Sequence, residues 1–79
     1  IAEKNQWNVY PNPASDKLLI QTPSGTKCDQ ITITDITGKK IIESSPVNYS
    51  VNIENLSVGL YFIEAVSGTE KFKTKFIKQ

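Results

Sequence analysis

The chain contains no histidine, no methionine and no arginine, and it has a single cysteine. Without histidine, neither a Ser-His-Asp nor a Cys-His arrangement can be assembled. One cysteine excludes an internal disulfide and falls short of the ligand set that a structural zinc site needs. Cys28 therefore reads as a small buried hydrophobe, because Lys27, its only basic neighbour in sequence, is slight support for a thiolate. All nine basic residues are lysine, so the planar fork that reads phosphates and bases in pairs is missing, and no nucleic-acid partner is expected. The four glycines are isolated and make no phosphate loop. No apolar run approaches membrane-spanning length. The eight carboxylates are scattered without a calcium-loop spacing, and Asp16 and Asp35 read as turn caps before they read as ligands. Neither catalysis, a cofactor, a metal nor a small-molecule substrate is expected. The chain opens at Ile1 without methionine and without a charged-then-apolar leader, which predicts a piece of a longer protein.

What is present is period-two alternation. The 79 residues suit one domain near the small end of what folds unaided, and a hydrophobic share of 38% supplies one thin core. Ile1 to Gln6 is polar and without period, and reads as linker. Trp7 to Tyr10 is a short strand that ends at Pro11-Asn12-Pro13, where two fixed φ angles and two missing donors stop sheet pairing. Lys17 to Thr22 is a second strand, followed by a loop over Pro23 to Lys27. Gln30 to Asp35 alternates most cleanly, with Ile31 and Ile33 inward and Thr32 and Thr34 outward. The Asp35-Ile36-Thr37-Gly38 turn leads into a strand over Lys39 to Glu43. After a loop over Ser44 to Asn48, Tyr49, Val51 and Ile53 alternate as another strand. Asn48-Tyr49-Ser50 and Asn55-Leu56-Ser57 match glycosylation acceptors, a motif short enough to arise by chance.

The last stretch, Gly59 to Gln79, organises the rest. It reads as a hairpin reversing at Ser67-Gly68-Thr69. Tyr61, Ile63 and Ala65 share one face of its first run, and Phe72, Thr74 and Phe76 one face of its second. The opposite face of the first run, Leu60, Phe62, Glu64 and Val66, is apolar enough to be mostly covered, which predicts a central strand. The opposite face of the second carries Lys71, Lys73 and Lys75 and meets water. Charge concentrates there. Residues 1–69 hold five lysines and seven acids, a balance of −2, while residues 70–79 hold four lysines and one acid, a balance of +3. About seven short strands with turn signals between them and no helical period predict an antiparallel β-sandwich, with a small closed barrel as second choice. Ile31, Ile33, Val51, Ile53, Tyr61, Ile63, Phe72 and Phe76 are the expected core, with Leu56 plugging one end. Lysine on a strand of this kind also discourages edge-to-edge aggregation, which competes with a role in recognition.

Four stretches, in order, resemble one family. Val9-Tyr10-Pro11-Asn12-Pro13-Ala14-Ser15-Asp16-Lys17-Leu18 is similar to the opening "YPNPA.D.L" of the C-terminal sorting domain of the type IX secretion system. Ile33 to Lys39 is similar to its "IYD.tGK" hairpin, with Thr34 where an aromatic or aliphatic residue often stands. Ile53 to Phe62 resembles "i.nL..G.Y.", and Lys75-Phe76-Ile77-Lys78 resembles the closing "KfiK". The resemblance runs from Trp7 to Gln79 and implies an immunoglobulin-like β-sandwich. It also implies an address. Such domains, in Bacteroidetes-type bacteria, direct a cargo already in the periplasm through the outer-membrane translocon and its shuttle proteins. A sortase-like peptidase then removes them, and the cargo is secreted or held at the cell surface.

On this reading Lys73, Lys75, Phe76, Ile77 and Lys78 are the candidate recognition residues. Pro11, Asn12, Pro13, Asp35, Gly38, Gly59 and Tyr61 are motif residues with structural roles: Gly59 serves a turn and Tyr61 packs inside. The rival reading is a β-sandwich module that holds polysaccharide or another cell-surface partner. Such a site needs exposed aromatics, and Trp7 and Tyr10 are the residues placed to supply them.

Overall fold

Strand after strand, the alternation is realised in the computed structural model, which describes residues 7–23, 26–46 and 49–79. The elements are β1 (Asn8–Tyr10), β2 (Lys17–Gln21), β3 (Gln30–Thr34), β4 (Lys40–Ser44), β5 (Ser50–Asn52), β6 (Gly59–Ser67) and β7 (Glu70–Lys78). They form two sheets, β1-β2-β5 and β4-β3-β6-β7, and every strand pairing is antiparallel. There is no helix among the described residues. The expected seven-stranded antiparallel sandwich is therefore the fold. The linker expected over residues 1–6 and parts of the two loops, at 24–25 and 47–48, lie outside the described residues.

The inner faces meet in one cluster. Val9, Leu18, Ile20 and Val51 come from the three-stranded sheet; Ile31, Ile33, Tyr61, Ile63, Ala65 and Phe76 come from the four-stranded one. Burying one such aliphatic or aromatic side chain contributes about 1.5–3 kcal/mol, so the cluster is the main stabilising feature. Seven of the eight expected core residues are buried. Phe72 is half-buried instead, because it sits on an outermost strand, where its ring stacks on Trp7 with centroids 5.7 Å apart. Leu56 packs against the cluster as expected.

Two local expectations need correcting. Tyr49 does not begin β5: it is an exposed turn residue at φ +59°, and its carbonyl accepts the Ile20 N–H at 2.8 Å. At that positive φ its backbone cannot take the extended conformation of a strand. The pairing that stops at Pro11 resumes sooner than the two prolines imply. Ala14 forms a parallel bridge to Lys78, donating its N–H to the Ile77 carbonyl at 2.8 Å and accepting from Gln79 N–H at 2.7 Å. The chain thus leaves one sheet at Tyr10 and touches the edge of the other at Ala14.

β6 is the interior strand between β3 and β7, as expected, and β7 is an edge. The β6–β7 ladder runs without interruption through nine pairs, from Gly59↔Lys78 to Ser67↔Glu70. It reverses through Gly68 and Thr69, and Gly68 stands at φ +59°, a conformation that glycine adopts without a Cβ penalty. The Gly68 N–H donates to Asp29 Oδ2 at 2.9 Å, which anchors the hairpin tip to the segment ahead of β3.

Candidate functional site

A strand presents alternate residues to opposite faces, and β7 divides the candidate residues accordingly. Lys73, Lys75 and Ile77 point outward, together with Lys71; Ile77 is 48% exposed. Phe76 and Lys78 point inward, at 0% and 7% exposure. Phe76 stacks on Tyr61 with centroids 5.7 Å apart, and Tyr61 in turn donates its hydroxyl to the Ser57 carbonyl at 2.7 Å. Lys78 donates from Nζ to the Gln79 carbonyl at 3.2 Å, so its ammonium is held locally. The structure therefore brings Lys73, Lys75 and Ile77 onto one accessible face. It sets Phe76 and Lys78 behind them as the residues that fix where β7 lies.

The outward face of β6 is mostly covered, as expected: Phe62, Glu64 and Val66 are half-buried, and Leu60 is the exposed member. That face belongs to the outer surface of the sheet, where Phe62 stands between Thr34 and Lys75, and Glu64 between Thr32 and Lys73. Leu60 is paired with Ile77 and is 40% exposed. An open hollow of about 350 Å³ lies among Phe62, Lys73, Thr74 and Lys75. A second of about 300 Å³ is walled by the Asp35-to-Gly38 turn, Phe62 and Lys73. Leu60 and Phe62 thus join the candidate surface. Their alternation with Tyr61 and Ile63 was legible, but alternation does not tell whether a second layer covers a face.

The motif residues gather around the same sheet. Asn12 Oδ1 accepts the Ile77 N–H at 3.0 Å, between the two prolines. Asp35 Oδ1 accepts three bonds: from Thr37 N–H at 2.9 Å, Thr37 hydroxyl at 2.6 Å and Lys39 N–H at 3.1 Å. The Thr37 hydroxyl above all holds the Asp35 carboxyl below its ordinary value, with the Lys39 and Thr37 amides adding to the effect. Asp35 is a turn cap. Gly38 completes that turn at φ +92°, and Gly59, at φ +154°, opens β6 opposite Lys78.

Burial, first of all, pushes the Cys28 thiol above its ordinary value, which disfavours the nucleophilic form. No group of three or more metal-ligating side chains occurs among the described residues. Trp7 is half-buried against Phe72, and Tyr10 is exposed, so the two aromatics do not stand free as a pair.

Comparison with known proteins agrees with the placement of these motifs. The family model for a secretion system C-terminal sorting domain matches residues 8–79, from the first residue of β1 past the end of β7. No curated protein and no solved structure matches the chain.

Proposed function

The chain belongs to the family of type IX secretion system C-terminal sorting domains, and from that membership we propose that it carries an attached cargo protein through the outer membrane. Domains of this family are non-catalytic sorting signals, and the proteins that carry them are secreted or held at the cell surface. In the reading proposed, the cargo first reaches the periplasm, with residues 1–6 as the linker to the domain formed by residues 7–79. The domain is then engaged by the outer-membrane translocon and its shuttle proteins. A sortase-like peptidase cleaves it, acting on the domain as substrate.

The observation that carries this reading is the family match over the whole folded region, residues 8–79. The exposed face of Lys73, Lys75 and Ile77 supports it, because a receptor needs an accessible surface to read, and exposed charge steers encounter. The test is a fusion of residues 7–79 behind a periplasm-directed reporter, in a host with this secretion system. The reporter should appear outside the cell or on its surface. Reporter retained in the periplasm, with the fused domain intact and folded, would overturn the reading.

A further inference from the structure

β7 is paired along its entire length on one side only. Towards β6 the ladder is complete through nine pairs. On its other side Ile77 bonds through both its N–H and its carbonyl to the Asn12–Ala14 segment, and the N–H of Gln79 bonds there too. In an antiparallel strand the two backbone groups of a residue point to the same side, and that side alternates along the chain. The register of β6 with β7 has no shift between Ile77 and Glu70, so the N–H and carbonyl of Lys75, Lys73 and Lys71 point the same way as those of Ile77. Among the described residues nothing pairs with them. Three donors and three acceptors therefore line a straight edge at alternate positions.

The other edges are less suited to receive a strand. β1 and β5 are three residues long, and β4 is interrupted by a register shift opposite Ile33 and Thr34. β7 is nine residues long and regular.

We propose that the open edge of β7 at Lys71, Lys73 and Lys75 is the docking site for an extended, acidic segment of a partner protein, which adds as a further strand to the β4-β3-β6-β7 sheet. The inference rests on the sorting reading for the partner's identity as part of the secretion machinery, and on the backbone geometry for its form. Unpaired peptide groups call for another backbone, which a polyanionic glycan does not supply. The side chains select the sign of charge. Three lysines spaced two residues apart stand about 6.7 Å from one another along the strand, the spacing at which an added strand's alternate side chains recur. Acidic residues there meet lysine across the new ladder, whereas a second copy of this edge sets lysine against lysine. The lysines thus keep unrelated edges away and admit an acidic one. The partner strand's remaining side chains fall on the opposite face, beside the half-buried Phe72 and Thr74.

The test uses the 79-residue chain and a short synthetic peptide alternating glutamate with valine. In the free protein the amides of Lys71, Lys73 and Lys75 should exchange with solvent far faster than those of Phe72, Thr74 and Phe76. On addition of the peptide the three lysine amides should slow by on the order of tenfold or more as they become bonded. The same peptide with alternate amides N-methylated keeps its charge and loses its donors, and should give no such protection. Lys73→Pro removes one outward N–H, a substitution tolerated on an edge strand, and should abolish protection while the circular dichroism spectrum is kept. Three results would overturn the proposal: no binding of the peptide, equal binding of both peptides without slowed exchange, or lysine amides already protected in the free protein. The wild-type exchange measurement decides even if Lys73→Pro does not fold. Failure of the sorting reading looks different. There the reporter fusion stays in the periplasm while the peptide still protects the lysine amides.

Discussion

Asn12 and Ile77, sixty-five positions apart, are joined by a 3.0 Å hydrogen bond from the Ile77 N–H to Asn12 Oδ1. The bond ties the proline-flanked segment after β1 to the end of β7, beside the Ala14–Lys78 bridge. It gives the Pro11-Asn12-Pro13 motif a concrete task, which is to close the last stretch of an edge that is open further back.

Asn12→Ala should leave the Ile77 N–H without its protein partner. The bond is exposed, so water replaces it in part and the cost should be about 0.5–1.5 kcal/mol. For a domain of this size that lowers the melting temperature by several degrees. Amide exchange should show a faster Ile77 amide, with the amides of Ile31 and Ile63 unchanged. A uniform loss of protection would mean that Asn12 supports the whole fold and does not merely clamp one end.

Phe76→Ala should be far more damaging. The ring is fully buried and stacks on Tyr61, so its removal leaves a cavity in the cluster. Such truncations cost about 3–5 kcal/mol, a large part of a small domain's stability. Denaturant unfolding measures the loss directly. A cost below about 1 kcal/mol would show that the core collapses around the vacancy and that Phe76 does not set the position of β7.

Reversing the exposed charges separates recognition from edge protection. Lys73→Glu with Lys75→Glu should lower the melting temperature only slightly, since exposed charges contribute little and the one new like-charge pair, with Glu64 across the ladder, costs under about 1 kcal/mol; it should abolish export of the fused reporter. Normal export from the folded variant would show that positive charge on this face is not read. Lys78→Glu is no substitute for this experiment. Its side chain is buried, so charge reversal there should lower stability as well.

The Asp35 turn should leave a mark at low pH. Its carboxyl is held below the ordinary value of 3.8, chiefly by the Thr37 hydroxyl. A depressed folded-state value means that the carboxylate's bonds stabilise the fold above the unfolded-state value. That contribution is lost as pH falls through the folded value, so the window lies below 3.8. Asp35→Asn should therefore be less stable than the parent at neutral pH, and the difference should shrink in that acid window. A carboxyl titration by NMR with its midpoint at or above 3.8 would contradict the assignment.

Much of the molecule was legible before any fold was drawn. Ile31 and Ile33 alternating with Thr32 and Thr34 mark a strand with one buried face, and Asp35 to Gly38 carries the chemistry of a capped turn. Alternation also assigns Lys78 to the inward set with Phe76, and Ile77 to the outward set with Lys75. Charge and apolarity argue the other way for both, and the alternation prevails. A strand's pleat admits no exception for a single residue unless a bulge intervenes, and the β6–β7 register has none.

Local order is written in the residues themselves: seven strands, their turns, and which residues share a face, together with the motifs by which the family is known. The tertiary structure decided how the hairpins and the remaining strands are ordered across the two sheets. It made β7 an edge, placed Leu60 and Phe62 on the outer surface of the sheet, and set Asn12 against Ile77. The physical reason lies in the range of the forces involved. Side-chain alternation follows from the backbone geometry of one strand, whereas sheet order follows from hydrogen bonds and apolar contacts between segments far apart in the chain, which leave no periodic trace in either segment.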